Sequence, residues 1–198
     1  MGATTQAYAD RASEYTSLLG SMDAVHPADR HLVETWADQV EGAILDAGCG
    51  PGHWTAHLAG RGCAVQGIDQ VPAFIHHART TYPDVAFEVG SMDSLEANTG
   101  SVGGVLAWYS LIHHDPALIQ VPLRELARVL RPKGSLLVGF FVGSAIEPFD
   151  HAVTTAYYWS VGALTRELEP AGFEVSEAHT RTGTGYRPHG AVIATRKG

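Results

Sequence analysis

The sequence is poor in cysteine and has no apolar run long enough to cross a membrane. Its two cysteines, Cys49 and Cys63, indicate reduced thiols rather than a disulfide framework. The longest apolar stretch, 136–142, is far too short to span a bilayer. The N-terminus lacks the pattern of a signal peptide, and Gln6 stands where a myristoylation signal needs Ser or Thr. A cytoplasmic protein without a membrane partner is therefore expected.

Basic residues are also scarce, with 13 Lys and Arg against 21 Asp and Glu and a formal net charge of −8. Proteins bind nucleic acid through basic surfaces that displace counterions, so this balance argues against a general affinity for nucleic acid. The sequence also has no internal repeat, low-complexity segment or linker. Its 198 residues, 45% of them hydrophobic, are typical of one globular domain with a single core.

Glycine is concentrated in residues 43–52, which read Ala-Ile-Leu-Asp-Ala-Gly-Cys-Gly-Pro-Gly. The apolar start predicts a buried strand, and Gly48, Gly50 and Gly52 predict a turn whose backbone a ligand can approach closely. Residues 53–59 have the pattern of a helix, so the loop amides and the helix N-terminus are expected to face the ligand. A nucleotide-like ligand is the natural hypothesis.

The spacing of the glycines distinguishes this loop from the loops of other nucleotide-binding sites. The dinucleotide motif G-x-G-x-x-G, counted from Gly48, needs its third glycine where His53 stands, whereas this chain has Gly52. No lysine follows as in a P-loop. The pattern is Asp46-x-Gly48-x-Gly50-x-Gly52. Taken alone, the loop leaves open the alternative of an ordinary strand-to-helix turn.

This acid-and-three-glycine pattern is similar to the first motif of the class I S-adenosylmethionine-dependent methyltransferases, and the resemblance extends over residues 28–194. It implies an α/β fold with a Rossmann-like, seven-stranded, mostly parallel sheet, helices on both faces and a C-terminal antiparallel β-hairpin. It also implies S-adenosylmethionine as cofactor and S-adenosylhomocysteine as product. We expect one domain over 1–198, with a lid helix segment at 1–27 and the α/β core at 28–198.

The residue patterns themselves predict the positions of the elements. Two final strands with a short connection predict an antiparallel hairpin, whereas a dehydrogenase sheet would end in parallel strands. The stretch 142–159 is expected to be a loop over the ligand crevice. The predicted strands are 43–45, 64–68, 85–89, 102–107, 135–141, 173–182 and 190–196. The predicted helices include 6–19, 27–40, 53–59 and 160–171.

Several residues are predicted to hold the cofactor. Asp69 follows the second strand, where a carboxylate can accept both hydroxyl hydrogens of a ribose or cap the next helix. The resemblance implies that Asp46 and the loop amides hold the methionine moiety, and that Met92 and Asp93 hold the adenine. The predicted cofactor-binding residues are Asp46, Gly48, Cys49, Gly50, Gly52, Asp69, Gln70, Ser91, Met92, Asp93 and Trp108, with Arg11 and Tyr15 from the N-terminal helix.

The candidates for proton transfer are His113 and His114, which follow the fourth strand and titrate in a useful range. A structural hydrogen bond is the alternative for either histidine, and positioning alone suffices for many methyltransferases. Tyr8, His151 and Tyr158 are predicted to line the acceptor site, with packing as the alternative for each. The sequence has 11 histidines, yet no ligand set with recognisable metal spacing, so no metal is predicted.

The predicted function is S-adenosylmethionine-dependent methyl transfer to a small-molecule acceptor, with a homodimer left open. The sequence specifies neither the acceptor nor the atom methylated. Two alternatives stay open at this point. One is an NAD-dependent oxidoreductase on a Rossmann sheet, which the glycine spacing disfavours. The other is a protein that binds S-adenosylmethionine without catalysis.

Overall fold

The computed structural model describes residues 3–198. Met1 and Gly2, which belong to the expected N-terminal segment, lie outside the described residues. The helices are α1 (Ala3–Asp10), α2 (Ala12–Leu19), α3 (Pro27–Gln39), α4 (His53–Gly60), α5 (Pro72–Thr81), α6 (Gln120–Val129) and α7 (Val161–Leu168). The strands are β1 (Ile44–Ala47), β2 (Val65–Asp69), β3 (Ala86–Val89), β4 (Val102–Trp108), β5 (Leu130–Val142), β6 (Glu147–Asp150), β7 (Thr155–Trp159), β8 (Phe173–Arg181) and β9 (His189–Arg196).

All strands belong to one sheet, in which β3, β2, β1, β4 and β5 are parallel neighbours in that order. β9 pairs antiparallel with β5 and with β8, which gives the C-terminal hairpin. The predicted mostly parallel sheet with a terminal antiparallel hairpin is therefore confirmed. The strand order reverses between β1 and β4, and ligands of open α/β sheets bind in the crevice at such a point.

Two strands beyond the predicted seven form in the stretch expected to be a loop. β6 and β7 make an antiparallel hairpin, and β7 continues the sheet by pairing Phe141 with Tyr158. Aromatic residues favour strands, and Phe149 packs its ring 4.2 Å from that of Tyr158. Aromatic packing thus orders a segment whose Pro, His and Asp content indicates a loop.

The expected N-terminal helix 6–19 is interrupted. Arg11 has φ −114° and ψ 11°, outside the helical region, and it separates α1 from α2. At the other end of the chain, Ser160 caps α7 as predicted, because its hydroxyl accepts a hydrogen bond from the Ala163 amide at 3.1 Å. No helix within residues 3–198 has the length and apolar character needed to cross a membrane.

The sheet is covered on both faces, because alternate side chains of a strand point to opposite sides. Ile44 of β1 packs in one cluster with Trp36 of α3 and Leu58 of α4. Leu45, the next residue, packs in the other cluster with side chains of α6 and α7. Burying a side chain of this size contributes about 1.5–3 kcal/mol to the stability of the fold. The packing of β1 on both faces therefore fixes the position of the glycine loop that follows it.

Candidate functional site

A cavity of about 300 Å³ lies at the carboxyl ends of β1, β2, β3 and β4. Its wall comes from the loops that follow these strands and from α1, α2 and α5. Helices α1 and α2 thus close over the crevice at the reversal of strand order. The predicted site residues that line the cavity are Tyr8, Tyr15, Gly48, Gly50, Asp69, Gln70, Ser91, Met92, Asp93, Trp108, His113 and His114.

The glycine loop is shaped by close approaches on both sides. Gly48 has φ +80°, and a Cβ there would overlap the Cβ of Ser110 at the cavity wall. Gly52, the N-cap of α4, has φ +89°, and a Cβ there would lie 2.7 Å from the Phe87 ring. Gly48 therefore keeps the cavity open, whereas Gly52 lies behind the loop and allows α4 to pack closely.

Asp69 joins the glycine loop to the next helix. Its Oδ2 accepts a hydrogen bond from the Gly50 amide at 2.9 Å, and its Oδ1 accepts one from the Val71 amide at 2.8 Å. Burial raises the pKa of Asp69 to about 6, while the two amides oppose that rise. Each carboxylate oxygen keeps a second lone pair, so Asp69 can order the start of α5 and still accept ligand hydroxyls.

Asp46 does not line the cavity. Its side chain is on the same side of β1 as Ile44, faces α4, and is only 2% exposed. The Thr55 hydroxyl donates to Oδ2 of Asp46 at 2.6 Å. Asp46 therefore does not reach the cavity wall, and the role implied for it in holding the methionine moiety, directly or through water, stays a prediction. Cys49 is likewise buried away from the cavity, where its thiol lies 3.6 Å from the Gly50 carbonyl oxygen.

The ionisation of Asp46 is predicted to oppose folding. Burial raises its pKa to about 7, against about 3.9 for an unfolded chain. The neutral form is favoured by folding, so the stability that this group contributes is present at pH 4 and lost as pH rises through 7. Asp46→Asn should therefore reduce the fall in unfolding free energy between pH 5 and pH 8 by on the order of 2 kcal/mol.

Urea unfolding at the two pH values measures this effect, with Asp84→Asn at an exposed acid as the matched control. The pKa of Asp69 is also raised, so its ionisation lowers stability over the same pH range. Asp69 is present in the wild type and in both variants, so its effect cancels in the comparison. An Asp46→Asn variant with the pH dependence of the wild type would contradict this account of Asp46.

His113 is held between two partners. Its Nδ1 lies 2.7 Å from the main-chain oxygen of Thr155, which can only accept, so Nδ1 carries the proton. Its Nε2 is then free to accept the hydroxyl hydrogen of Tyr8, also at 2.7 Å. Burial lowers the pKa of His113, so the imidazole is neutral at pH 7. The cavity wall therefore presents a basic nitrogen in contact with a tyrosine hydroxyl.

His114 has a different environment. Its Nε2 lies 3.0 Å from Oδ1 of Asp93, and both residues line the cavity. This contact orients the carboxylate predicted to receive the adenine amino group. The two adjacent histidines thus have different partners, because His113 contacts Tyr8 and His114 contacts Asp93. Of the two, His113 is better placed for proton transfer.

Three further predicted site residues lie outside the cavity wall. Arg11 is turned outward at the break between α1 and α2, where it pairs with Glu14 at 2.9 Å and stays 41% exposed. Tyr158 packs on Phe149 in the β6–β7 hairpin. His151 stands behind His113, with the two ring centroids 5.1 Å apart. The three side chains thus lie outside this cavity wall, and a ligand contact by any of them stays a prediction.

Several residues that line the cavity were not predicted from the sequence. Tyr109 and Ser110 follow Trp108 directly, and Tyr109 has φ 56°, which is uncommon for a residue with a side chain. The Ser110 hydroxyl is buried and has no hydrogen-bond partner among residues 3–198. The sequence signal that could have identified Tyr109 and Ser110 is their position directly after β4. Thr4, Thr5, Phe74 and Asp115 also line the cavity.

Within the part of the chain that the structure describes, no cluster of three or more His, Cys, Asp or Glu could hold a metal ion. The absence of a metal cofactor stays a prediction.

The chain resembles known proteins in sequence. Residues 44–134 match the family described as "Methyltransferase domain". A relative from Mycolicibacterium smegmatis, described as a probable S-adenosylmethionine-dependent methyltransferase, is 33% identical over 144 residues, covering 68% of this chain and 52% of the relative. The chain spans about half the length, or less, of the curated relatives that it matches.

The fold is shared with solved structures. The 1,6-didemethyltoxoflavin-N1-methyltransferase of Burkholderia thailandensis, solved with 1,6-didemethyltoxoflavin and S-adenosylhomocysteine, aligns with a TM-score of 0.81 and 18% identity over 98% of this chain and 87% of its own. The [4+2]-cyclase SpnF aligns with a TM-score of 0.80 and 19% identity, covering 99% of this chain and 97% of its own. At such identities the likeness shows the fold alone.

The fold, the glycine loop and the sequence similarity agree with the family expected from the sequence, a family of enzymes whose cofactor is S-adenosylmethionine. The chain belongs to the class I S-adenosylmethionine-dependent methyltransferases.

Proposed function

We propose that this chain transfers a methyl group from S-adenosylmethionine to a small-molecule acceptor. The observation that carries the proposal is one arrangement: a buried carboxylate, Asp69, bound to a glycine-loop amide at the edge of a 300 Å³ cavity that also contains the basic Nε2 of His113. A cavity of this size fits a nucleoside-sized ligand. We further propose one domain, with 1–27 as its lid and 28–198 as its core.

The cavity residues fit the cofactor in type and place. Gly48 leaves the space that a Cβ would fill, and beside it the Ser110 hydroxyl lacks a partner among the described residues, which suits the polar methionine end. Asp69 can accept the ribose hydroxyls, and Met92 and Asp93 can hold the adenine. When bound, S-adenosylmethionine supplies a methyl group already activated by its sulfonium, so the protein must bind, orient and handle the proton.

His113 is proposed as the group that receives the acceptor proton. The Tyr8 hydroxyl already donates to Nε2, so it can take the acceptor's proton as its own hydrogen moves to His113. The imidazolium that forms keeps Nδ1–H bonded to the Thr155 oxygen, which stabilises the new charge. Burial raises the pKa of Tyr8, so the phenol stays neutral between turnovers.

A second candidate is a protein of this fold that binds the cofactor without transferring the methyl group. The similarity to the [4+2]-cyclase SpnF supports keeping it, because that protein's name describes another reaction. An NAD-dependent oxidoreductase is disfavoured by the glycine spacing and the terminal antiparallel hairpin. The cytoplasmic location, the lack of nucleic-acid binding and a homodimer stay predictions.

Methyl transfer is tested with S-adenosylmethionine labelled in its methyl group, incubated with the protein and a set of small phenols, amines and carboxylic acids. We expect label in one acceptor class and equimolar S-adenosylhomocysteine. Tight cofactor binding without label in any acceptor would favour the non-catalytic alternative. Absence of cofactor binding would contradict the proposed function.

A further inference from the structure

The wall of the site cavity carries negative charge without matching positive charge. The carboxylates of Asp69, Asp93 and Asp115 line it. Among residues 3–198, no Lys or Arg side chain lines the cavity. The histidines of the wall are His113, which burial keeps neutral at pH 7, and His114. A cleft lined by charge of one sign concentrates the field of that charge, so this cavity attracts cations.

The glycine loop offers an anion no free donors to offset this charge. Loops that bind phosphate point unpaired N–H groups at the ligand, often at the start of a helix. Here no residue of α4 lines the cavity. Every N–H group of residues 48–52 donates to a protein oxygen at 2.8–3.1 Å: those of Gly48 and Cys49 to Ile68, that of Gly50 to Asp69 and that of Gly52 to Cys49. Pro51 has no N–H group.

Methyl transfer changes the charge of the cofactor. S-adenosylmethionine has a sulfonium, an ammonium and a carboxylate, so it carries one positive charge in excess. S-adenosylhomocysteine has a neutral thioether in place of the sulfonium and is neutral overall. The two molecules are otherwise alike except for the methyl group. A wall of carboxylates therefore interacts more favourably with the cofactor before the reaction than after it.

We propose that the cavity selects its ligand by charge, binding S-adenosylmethionine more tightly than S-adenosylhomocysteine and so favouring release of the product. This inference rests on the proposed function. Coulomb energy falls slowly with distance, so Asp69, Asp93 and Asp115 can act without contacting the sulfonium. Asp93 and Asp115 are exposed, so dissolved salt should screen much of their effect.

The test is calorimetric titration of the full chain without acceptor, at pH 8, which is above the pKa of about 6 of Asp69. The ligands are S-adenosylmethionine, S-adenosylhomocysteine and sinefungin, which carries an ammonium where S-adenosylmethionine carries its sulfonium. We expect the two cationic ligands to bind about 10-fold or more tightly than S-adenosylhomocysteine at about 0.05 M salt. At about 0.5 M salt the ratio should fall to about 3-fold or less.

A double variant links the preference to the acids of the wall. Asp93→Asn combined with Asp115→Asn should lower the ratio of affinities to about 3-fold or less at low salt. Adenosine is common to the three ligands, so a weaker adenine contact changes all affinities alike and leaves the ratio to report charge. Asn retains an oxygen that can accept the Ala117 amide, which Asp115 accepts at 2.9 Å. Asp23→Asn combined with Asp84→Asn removes the same charge from exposed positions outside the cavity and should retain the ratio.

Equal or tighter binding of S-adenosylhomocysteine by the wild type would overturn the proposal. So would sinefungin binding no more tightly than S-adenosylhomocysteine, because a preference for the sulfonium alone would reflect shape. A ratio that survives both added salt and the double variant would overturn it as well. In these cases the proposed methyl transfer would still stand. Failure of all three ligands to bind would instead contradict the proposed function, and this inference with it.

Discussion

His113→Gln is expected to lower the rate of methyl transfer by about 100- to 10,000-fold, the usual contribution of a positioned acid or base. Glutamine has no basic nitrogen, so the side chain at position 113 can no longer accept the proton of the Tyr8 hydroxyl. The affinity for S-adenosylhomocysteine should stay close to that of the wild type, because the glycine loop and Asp69 are untouched. Single-turnover rates together with calorimetric titration separate the two quantities.

His114→Gln is the matched control, because the same change is made one residue along the chain. His114 contacts Asp93 rather than Tyr8, so its loss should weaken cofactor binding more than it slows the chemical step. If the two variants lose the same rate with the same loss of affinity, the division of roles between the histidines is wrong.

The pH profile gives a second measure of His113. The neutral imidazole is the active form, and burial places its pKa below the ordinary value of about 6.5. kcat/KM should therefore rise with pH through a limb below 6.5 and be level near neutrality. Tyr8→Phe should slow the reaction but retain the limb, whereas His113→Gln should abolish it. If the rise of kcat/KM with pH persists in His113→Gln, the general base must be another residue.

Asp69→Asn is expected to weaken the binding of S-adenosylhomocysteine by about 10- to 100-fold, from the loss of hydrogen bonds to a charged group. In the wild type both oxygens accept main-chain amides, from Gly50 and Val71. The asparagine NH2 would face one of these donors, which disturbs the glycine loop and removes an acceptor for the ribose.

Titration at a temperature where both proteins are folded measures this loss directly. Asp84→Asn, at an exposed position between α5 and β3, makes the same chemical change away from the cavity and should bind like the wild type. Unchanged affinity in Asp69→Asn would show that Asp69 only orders the start of α5, which is the capping alternative.

The sequence predicts best what depends on local backbone and on burial. The turn at Gly48 and Gly52 can be predicted from the sequence, because only glycine fits the positive φ and the close contacts at these positions. β1 is short and wholly buried, and its apolar start indicates this. Asp69 is predicted by its position at the carboxyl end of β2, where chain direction alone brings a carboxylate to the crevice.

Tertiary contacts account for what could not be predicted. Tyr8 and His113 are 105 positions apart, and their hydrogen bond depends on how α1 docks over the sheet. The side chain of Asp46 was expected at the ligand, but the pleat of β1 turns it to Thr55. Local pattern also misses the β6–β7 hairpin, because its strands are ordered by aromatic packing between Phe149 and Tyr158.

The central claim is that this cavity binds S-adenosylmethionine rather than a dinucleotide. Calorimetric titration of the wild-type chain with S-adenosylhomocysteine and, in parallel, with NAD tests it most directly. We predict saturable one-to-one binding of S-adenosylhomocysteine, weakened by Asp69→Asn, and no binding of NAD at the same concentrations. Binding of NAD without binding of S-adenosylhomocysteine would contradict the account.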